Sequence, residues 1–206
     1  MNNPDDPASN LQETPDVDWL EIDEWACAAQ RGDEEAFGRI VRALHQRVFS
    51  VVYRVVGNMD DATEIAQLAW IKAWQKLHAY KREARFFTWM YRIAVNTAMD
   101  HHRRTRRRRE VDLLDEVQLD PEPGRDSPVA THSGPDEEMA RRETMEQFQH
   151  ALGSLSPEHR AVLVLREVEG LSYKEISEVT GTRQGTVMSR LHYARKTMQD
   201  LLKGIR

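Results

Sequence analysis

The chain has 206 residues, of which 40% are apolar and 31% charged, with 29 basic and 34 acidic side chains and a net charge of −5. This length allows one or two small domains and excludes a large multidomain enzyme. No apolar run approaches the roughly 18 residues of a membrane-spanning helix, and the first 24 residues lack the basic residues of a secretory signal. The single cysteine, Cys27, excludes an internal disulfide and a cysteine-rich zinc site. We expect a cytoplasmic protein that is not itself a membrane protein.

The charge is divided into alternating blocks along the chain. Residues 1–24 carry −8 and residues 110–138 carry −9, whereas 25–109 carry +9 and 139–206 carry +3. Pro, Gly and Ser concentrate within the second acidic block, which is typical of a linker. The pattern predicts an acidic N-terminal extension, a first domain, an acidic flexible linker and a second domain over these ranges in chain order. Basic domains suit a polyanion, although a single charge run is often only solvated surface.

The first domain has the apolar periodicity of helices throughout. Cap residues and stop signals predict four of them. The first begins after Asp18 and stops at Gly32, and the second runs from Asp33 to Gly57. The third follows a capping-box pattern of Asp61 and Glu64, and the fourth runs from Phe86 to about Arg109 after a polar loop over His78–Arg85.

The second domain is also predicted to be helical, so that the fold class is all-α with two small domains. One helix covers Met139 to Leu152, and Ser156 followed by Pro157 starts the next, which ends at Gly170. Ser172 and Glu175 form a capping box for a short helix that Gly181 closes. The last helix extends from about Thr182 to Leu202.

The last two helices, joined by a tight turn with Gly181, have the pattern of a DNA-binding helix-turn-helix. One face of the final helix is apolar and should pack inward: Val187, Leu191, Ala194, Met198 and Leu201. The opposite face has side chains suited to base edges and phosphates: Ser189, His192, Tyr193 and Lys196, flanked by Met188 and Arg190. The alternative is an ordinary surface helix of a helical bundle.

The fourth helix of the first domain combines aromatic residues with a run of arginines. Aromatic rings stack on unpaired bases while arginines follow the phosphate backbone, which is the chemistry of single-strand binding. Trp89 and Ile93 also fit a helix core, so Tyr91 and Arg92 are the better contact candidates. The arginines from Arg103 to Arg109 suit phosphates.

A catalytic function has little support in the sequence. No metal-binding HExxH, phosphate-cradling glycine loop or GxSxG motif occurs. His101 and His102 are adjacent, so on a helix they point about 100° apart and do not share a metal. We expect no catalytic residue, no metal and no cofactor. The main alternative to the function inferred below is a self-sufficient DNA-binding activator or repressor whose first domain dimerises.

Several long motifs in the correct order resemble the extracytoplasmic-function, or group IV and sigma-E-like, RNA polymerase sigma factors. FFTWMYRIAVNTAMDHHRR resembles their promoter-melting and minus-ten-recognising region, and GDEEAFGRIV and DDATEIAQLAWIKAWQKL resemble the preceding parts of sigma domain 2. LSPEHRAVLVLREVEGLSYKEISEVTGTRQGTVMSRLHYAR is similar to sigma domain 4. The resemblance assigns sigma domain 2 to 25–109 and sigma domain 4 to 139–206, with no sigma domain 3 between them.

For the first domain, the resemblance implies that the third helix binds the beta-prime clamp helices of bacterial core RNA polymerase through Glu64 and Gln67. Leu68 stands where the family usually has an acid, Arg82 replaces a common glycine, and Met90 replaces one of two promoter-wedging tryptophans. The loop over His78–Arg85 would hold a flipped base of the minus-ten element. The implied minus-ten contacts are Tyr80, Lys81, Trp89, Tyr91, Arg92, Asn96 and Arg103.

For the second domain, the resemblance implies duplex recognition at the minus-thirty-five element and contact with the polymerase beta flap. Met188 and Tyr193 stand where the family more often has basic residues, so we expect an altered sequence preference. The implied minus-thirty-five contacts are Thr186, Met188, Ser189, Arg190, His192, Tyr193 and Lys196.

The resemblance also bears on the acidic segments and on regulation. It implies that the linker threads toward the active-site cleft and RNA exit path of the polymerase, the alternative being a solvated tether. The acidic N-terminal extension is a candidate cover for the basic face of the first domain. The expected function is an alternative sigma factor that directs promoter-specific transcription initiation, in a stress or envelope response under the control of a cognate anti-sigma factor.

Overall fold

A computed structural model describes the backbone of residues 18–115 and 147–203, and the side chains of 18–108 and 147–203. Within these ranges every regular element is helical, which confirms the all-α fold class. The acidic extension up to residue 17 and the chain between 116 and 146 lie outside the described residues. The first domain comprises α1 Trp19–Gln30, α2 Glu34–Val56, α3 Met59–Lys76, a 3-10 turn over Leu77–Ala79, and α4 Phe86–Asp115.

The second domain has four described helices. They are α5 over 147–153, α6 Pro157–Glu167, α7 Tyr173–Thr180 and α8 Gln184–Lys203. Helix α7, the turn at Gly181 and α8 form the predicted helix-turn-helix, in which Gly181 has the left-handed conformation with φ of 65°. The predicted start of α5 at Met139 lies outside the described residues.

Most helix starts follow the predicted caps. The Asp18 carboxylate accepts the backbone N–H of Leu20 at 2.9 Å, and Asp33 accepts that of Ala36 at 3.0 Å. Ser172 and Glu175 form the complete reciprocal capping box of α7. These bonds satisfy N–H groups that have no partner within the first helical turn, so a local sequence pattern is enough to fix the helix start.

Two predicted boundaries were wrong. Helix α3 begins at Met59, because the Asn58 side chain accepts the Asp61 N–H at 2.9 Å and caps the helix three residues before the expected position. Helix α4 continues past Arg109 to Asp115, into the segment assigned to the acidic linker. No Gly or Pro occurs between Arg109 and Pro121, and Arg, Glu and Leu are favourable helix formers. Nothing local therefore stops the helix at the arginine run.

The two domains pack against each other, α6 against α2 and α7 against α4. Glu169, in the turn after α6, inserts its carboxylate between α2 and α4 of the first domain. It accepts a hydrogen bond of 2.5 Å from the Tyr91 hydroxyl and lies 3.5 Å from the guanidinium of Arg47. Arg160 of α6 donates across the same interface to the carbonyl of Val55 at 2.8 Å. The buried residues of both domains therefore form one continuous apolar cluster.

Arg160 has no carboxylate partner among the residues that the structure describes. Its guanidinium donates instead to three carbonyls, those of Val55, Gly153 at 3.0 Å and Leu155 at 3.1 Å. Val55 lies in the last turn of α2, where carbonyl oxygens carry the negative end of the helix dipole. Burial lowers the pKa of Arg160 from its ordinary value. The cation therefore caps the C-terminus of a helix in the other domain.

Candidate nucleic-acid interface

Helix α8 presents one exposed and one buried face. Its stripe of Val187, Leu191, Ala194 and Met198 is buried as predicted, whereas Leu201, expected on the same stripe, is 37% exposed near the helix end. Thr186 and Arg190 are half-buried at the edge of the opposite face. The exposed members of that face are Met188, Ser189, His192, Tyr193 and Lys196. All seven predicted minus-thirty-five residues therefore lie on one side of the helix.

A second exposed face lies on α4. Trp89, Arg92, Asn96 and Arg103 are spaced by three, four and seven residues, so they form one stripe along the helix. Trp89 is half-buried against the rings of Tyr80 and Phe86, at 5.4 and 5.3 Å, and the other three members are exposed. Further exposed arginines continue this basic surface toward the helix C-terminus: Arg104, Arg106, Arg107 and Arg108. The stripe has the aromatic and cationic groups that single-stranded nucleic acid requires.

Tyr80 lies inside the loop that joins α3 to α4. Its ring is 5% exposed, and its hydroxyl donates to the carbonyl of Ala84 at 2.9 Å and to Asp23 at 3.3 Å. Burial, reinforced by the Asp23 carboxylate, raises the pKa of Tyr80 well above its ordinary value. Asp23 also accepts the N–H of Phe86 at 2.8 Å and so caps α4. In this conformation Tyr80 shapes the loop, and Lys81 is the exposed candidate beside it.

The same loop contains a residue with a left-handed backbone. Arg82 has φ of 59°, which favours glycine and is costly for other side chains. Gln30 of α1 holds both sides of the loop: its amide donates to the carbonyls of Leu77 at 2.9 Å and Tyr80 at 2.7 Å. Its amide oxygen accepts from Arg82 at 3.4 Å. The chain thus keeps at Arg82 a backbone shape that glycine adopts without strain.

Tyr91 does not lie on the exposed stripe of α4. It is 2% exposed, beneath the second domain, with its hydroxyl bonded to Glu169. Burial, followed by the Glu169 charge, raises the pKa of Tyr91 above its ordinary value. Contact between Tyr91 and DNA stays a prediction, and it requires the two domains to separate.

A cleft of about 530 Å³ lies where the α3–α4 loop faces α7. Its walls carry both signs of charge, with basic and acidic groups from each domain. The first domain contributes Asp23, Tyr80 and the loop from Arg82 to Arg85, and α7 contributes Lys174, Glu175 and Glu178. The candidate base-holding loop is therefore accessible on one side and faced by the second domain on the other.

Helix α3 has an exposed apolar ridge beside the predicted polymerase contacts. Glu64 and Gln67 are exposed, and next to them lie Leu68, Ile71 and Trp74 with 38, 53 and 41% of their surface exposed. The exposed apolar ridge of Leu68, Ile71 and Trp74 was not predicted from the sequence. The signal for it is that α3 has apolar residues on two sides, whereas packing against the core covers only one of them.

Neither a metal centre nor a membrane helix is present in the parts that the structure describes. Residues 18–115 and 147–203 contain no group of three or more His, Cys, Asp or Glu side chains placed to hold a metal ion. Among the helices of those ranges, none is both long and apolar enough to span a bilayer.

Two solved structures share this fold. The sigma factor RpoE from Bartonella quintana, in complex with the anti-sigma factor NepR, aligns with a TM-score of 0.65 at 24% identity, covering 82% of this chain and 98% of that one. CnrH, in complex with the cytosolic domain of CnrY, aligns with a TM-score of 0.63 at 21% identity, covering 89% and 98%. These likenesses support the fold.

Sequence comparisons define the family. The model of Sigma-70 region 2 matches residues 40–108, and that of Sigma-70 region 4 matches residues 145–198. The RNA polymerase sigma-H factor of Pseudomonas aeruginosa is 36% identical over 179 residues, covering 84% of this chain and 92% of the relative. The ECF RNA polymerase sigma-E factor of Escherichia coli K12 is 33% identical over 172 residues, covering 83% and 88%. The chain therefore belongs to the extracytoplasmic-function sigma factors, the promoter-specificity subunits with which bacterial RNA polymerase initiates transcription.

Proposed function

We propose that this chain recognises two promoter elements with two separate helices. The exposed face of α8 contacts the minus-thirty-five duplex, and the stripe of α4 with the adjoining loop contacts unpaired bases of the minus-ten element. The observation that carries this assignment is the two-faced character of α8, whose buried stripe leaves all seven candidate contacts on the other side. A helix so placed in a helix-turn-helix is suited to enter the major groove.

The ridge of α3 is the proposed polymerase contact. Leu68, Ile71 and Trp74 give an apolar centre, and Glu64 and Gln67 give a polar rim. Stable interfaces combine a desolvated apolar centre with a polar edge. The leucine at position 68, where the family usually has an acid, extends the apolar part of this contact. The second domain, over 139–206, would meet the polymerase beta flap.

Promoter binding requires the two domains to move apart. The minus-ten and minus-thirty-five elements are roughly 25 base pairs apart, which corresponds to about 85 Å at 3.4 Å per base pair. Two small domains docked into one compact body measure only about 40 Å across, so they do not span that distance while docked. We infer that polymerase binding supplies the free energy that separates them. Because the ridge of α3 is exposed in the docked arrangement, polymerase can bind there first.

Run-off transcription with bacterial core polymerase on promoter fragments from the source genome tests this function. Discrete transcripts that require the protein are expected. Ile71→Asp should abolish core binding and transcription, because a charge would be placed in the apolar centre of the contact. Leu20→Asp is the matched control, since Leu20 is an exposed leucine of α1 outside the ridge. Equal activity of the two variants would refute the ridge as the polymerase contact.

The alternative is a regulator that binds duplex DNA by itself. One observation favours it: the face of α8 is already exposed while the domains are docked. Specific retention of duplex promoter fragments without polymerase, together with an absence of run-off products, would establish this alternative and refute the sigma assignment of the first domain.

We further propose control by a cognate anti-sigma factor in a stress or envelope response. The sigma factor RpoE from Bartonella quintana, which has the same fold, was solved in complex with the anti-sigma factor NepR. A two-hybrid screen of the source genome with this chain should recover such a partner, and adding it should abolish the run-off transcripts. A recovered partner that leaves transcription unchanged would contradict this mode of control.

A further inference from the structure

We propose that His159 of α6 is a positioning residue for minus-thirty-five recognition, because it holds the ring of Tyr193 in one orientation on the DNA-facing side of α8. This inference rests on the proposed function. It concerns a residue outside the helix-turn-helix and a base position at which this chain departs from the basic side chain common in the family.

Tyr193 is the large aromatic residue on the candidate face of α8, and 56% of its surface is exposed. An exposed tyrosine ordinarily samples several rotamers. Here the ring of His159 lies 4.7 Å from the ring of Tyr193, centroid to centroid, with the two planes tilted by 48°. Offset and tilted aromatic pairs at this separation attract each other beyond simple contact area. The pair therefore restricts Tyr193 before DNA arrives.

His159 is itself fixed at the start of α6. Its Nδ1 lies 2.7 Å from the hydroxyl of Ser156, the helix cap, and the same hydroxyl accepts the His159 backbone N–H at 3.4 Å. Pro157 stiffens the first helical position between them. The hydroxyl and the ring nitrogen can each supply the hydrogen of this bond, so the bond holds the ring at the helix cap in either neutral tautomer.

The surroundings favour the neutral form of the His159 ring. Burial and the nearby Arg190 cation lower the pKa of His159, and Glu158 opposes them more weakly. A neutral ring also avoids a second positive charge beside Arg190. Arg190 is itself one of the implied minus-thirty-five contacts on α8, and its cationic side chain suits a phosphate. His159 therefore lies next to two candidate DNA contacts, Tyr193 for the base edges and Arg190 for the phosphate backbone.

The consequence is a change in which base the protein prefers at one position of the minus-thirty-five element. An arginine gives two parallel hydrogen bonds to guanine, which a tyrosine does not reproduce. Tyrosine offers an apolar ring edge, suited to the thymine methyl, and one hydroxyl. Such single contacts discriminate poorly when the side chain is mobile, because a free ring can reorient to fit more than one base and so reduces the difference in affinity between bases. A restrained Tyr193 favours the base that fits its fixed position.

The test is a promoter pool randomised across the minus-thirty-five element, transcribed by holoenzymes with wild-type, His159→Ala, Tyr193→Ala and doubly substituted chains. Sequencing the products gives the base preference at each position. We expect His159→Ala to weaken preference roughly two- to tenfold at the position that Tyr193→Ala affects. The double variant should lose no more than Tyr193→Ala alone, because His159 acts through Tyr193.

Three variants separate positioning from folding. Ser156→Ala releases the His159 ring and should weaken the same base preference in part. His159→Phe keeps a ring against Tyr193 and should restore most of the preference, which a general folding defect would not allow. His150→Ala removes an exposed histidine of α5 in the same domain and should leave the profile unchanged.

Two results would overturn the inference. One is a wild-type preference that His159→Ala leaves intact. The other is an equal loss at all minus-thirty-five positions, which would show that His159 only stabilises the domain. If the wild-type holoenzyme gives no transcript that depends on the minus-thirty-five sequence, the proposed function fails and this inference fails with it.

Discussion

Replacing Glu169 should release the second domain from the first. The carboxylate, whose side chain is only 5% exposed, accepts the Tyr91 hydroxyl and lies 3.5 Å from Arg47. Glu169→Ala removes both interactions and leaves the Tyr91 hydroxyl without its acceptor. Arg47 keeps a contact of 5.0 Å with the Trp19 ring, so part of its environment survives. The change therefore affects domain docking more than either domain core.

The expected magnitude follows from the lost bonds. A hydrogen bond to a charged group contributes about 1.5–3 kcal/mol, and hydration of Glu169 in the open state offsets most of the attraction to Arg47. We expect Glu169→Ala to weaken docking by about 2 kcal/mol, which moves the docked-to-open ratio about thirtyfold. Glu169→Gln keeps a neutral acceptor for Tyr91 and should cost about 1 kcal/mol, or about fivefold.

Energy transfer between two fluorophores measures this ratio in the free protein. In a Cys27→Ser background, Glu34→Cys and Asp200→Cys place labels at exposed sites of α2 and α8. Transfer efficiency should be highest in the wild type, lower in Glu169→Gln and lowest in Glu169→Ala. The matched control is Glu167→Gln, since Glu167 pairs with Arg195 inside the second domain and not across the interface.

A double-mutant cycle separates the Tyr91–Glu169 bond from indirect effects. Tyr91→Phe should lower transfer by itself, and adding it to Glu169→Ala should lower transfer little further, because the shared bond is already lost. Unchanged transfer in Glu169→Ala, or an equal fall in the Glu167→Gln control, would refute the assignment of Glu169 as the interdomain contact that holds the domains together.

Three further changes test other parts of the structure. Arg82→Gly should raise the free energy of unfolding by about 1 kcal/mol in urea denaturation, because it relieves the left-handed backbone at φ of 59°; a fall would show that the Arg82 bond to Gln30 outweighs the strain. Arg160→Ala should lower the free energy of unfolding by about 2–4 kcal/mol in the same assay, because three carbonyls lose their donor. A loss below about 1 kcal/mol would show that these three hydrogen bonds do not stabilise the fold. Asn58→Ala should lower the free energy of unfolding by about 1 kcal/mol, because α3 loses its N-terminal cap. Asp61→Asn, at the position that the sequence predicted as the cap, should lower it less.

The local sequence was sufficient for the existence of the helices and for the two faces of α8. Caps such as Asp18, Asp33 and Ser172 accept N–H groups within three residues of themselves, so a short stretch of sequence is enough to predict the helix start. The inward stripe from Val187 to Met198 repeats every three or four residues, and one neighbouring helix is enough to cover it. Motif order similarly predicts the sigma family from the sequence alone.

Tertiary structure decided which of two similar residues is covered. Tyr91 and Arg92 were equal contact candidates by sequence, but Glu169, 78 residues away from Tyr91, buries the first and leaves the second exposed. On α3, Trp70 is buried and Trp74 is 41% exposed, although both belong to one apolar pattern. A periodic pattern states how many faces of a helix are apolar, whereas exposure depends on partners from distant parts of the chain, whose positions only the folded arrangement defines.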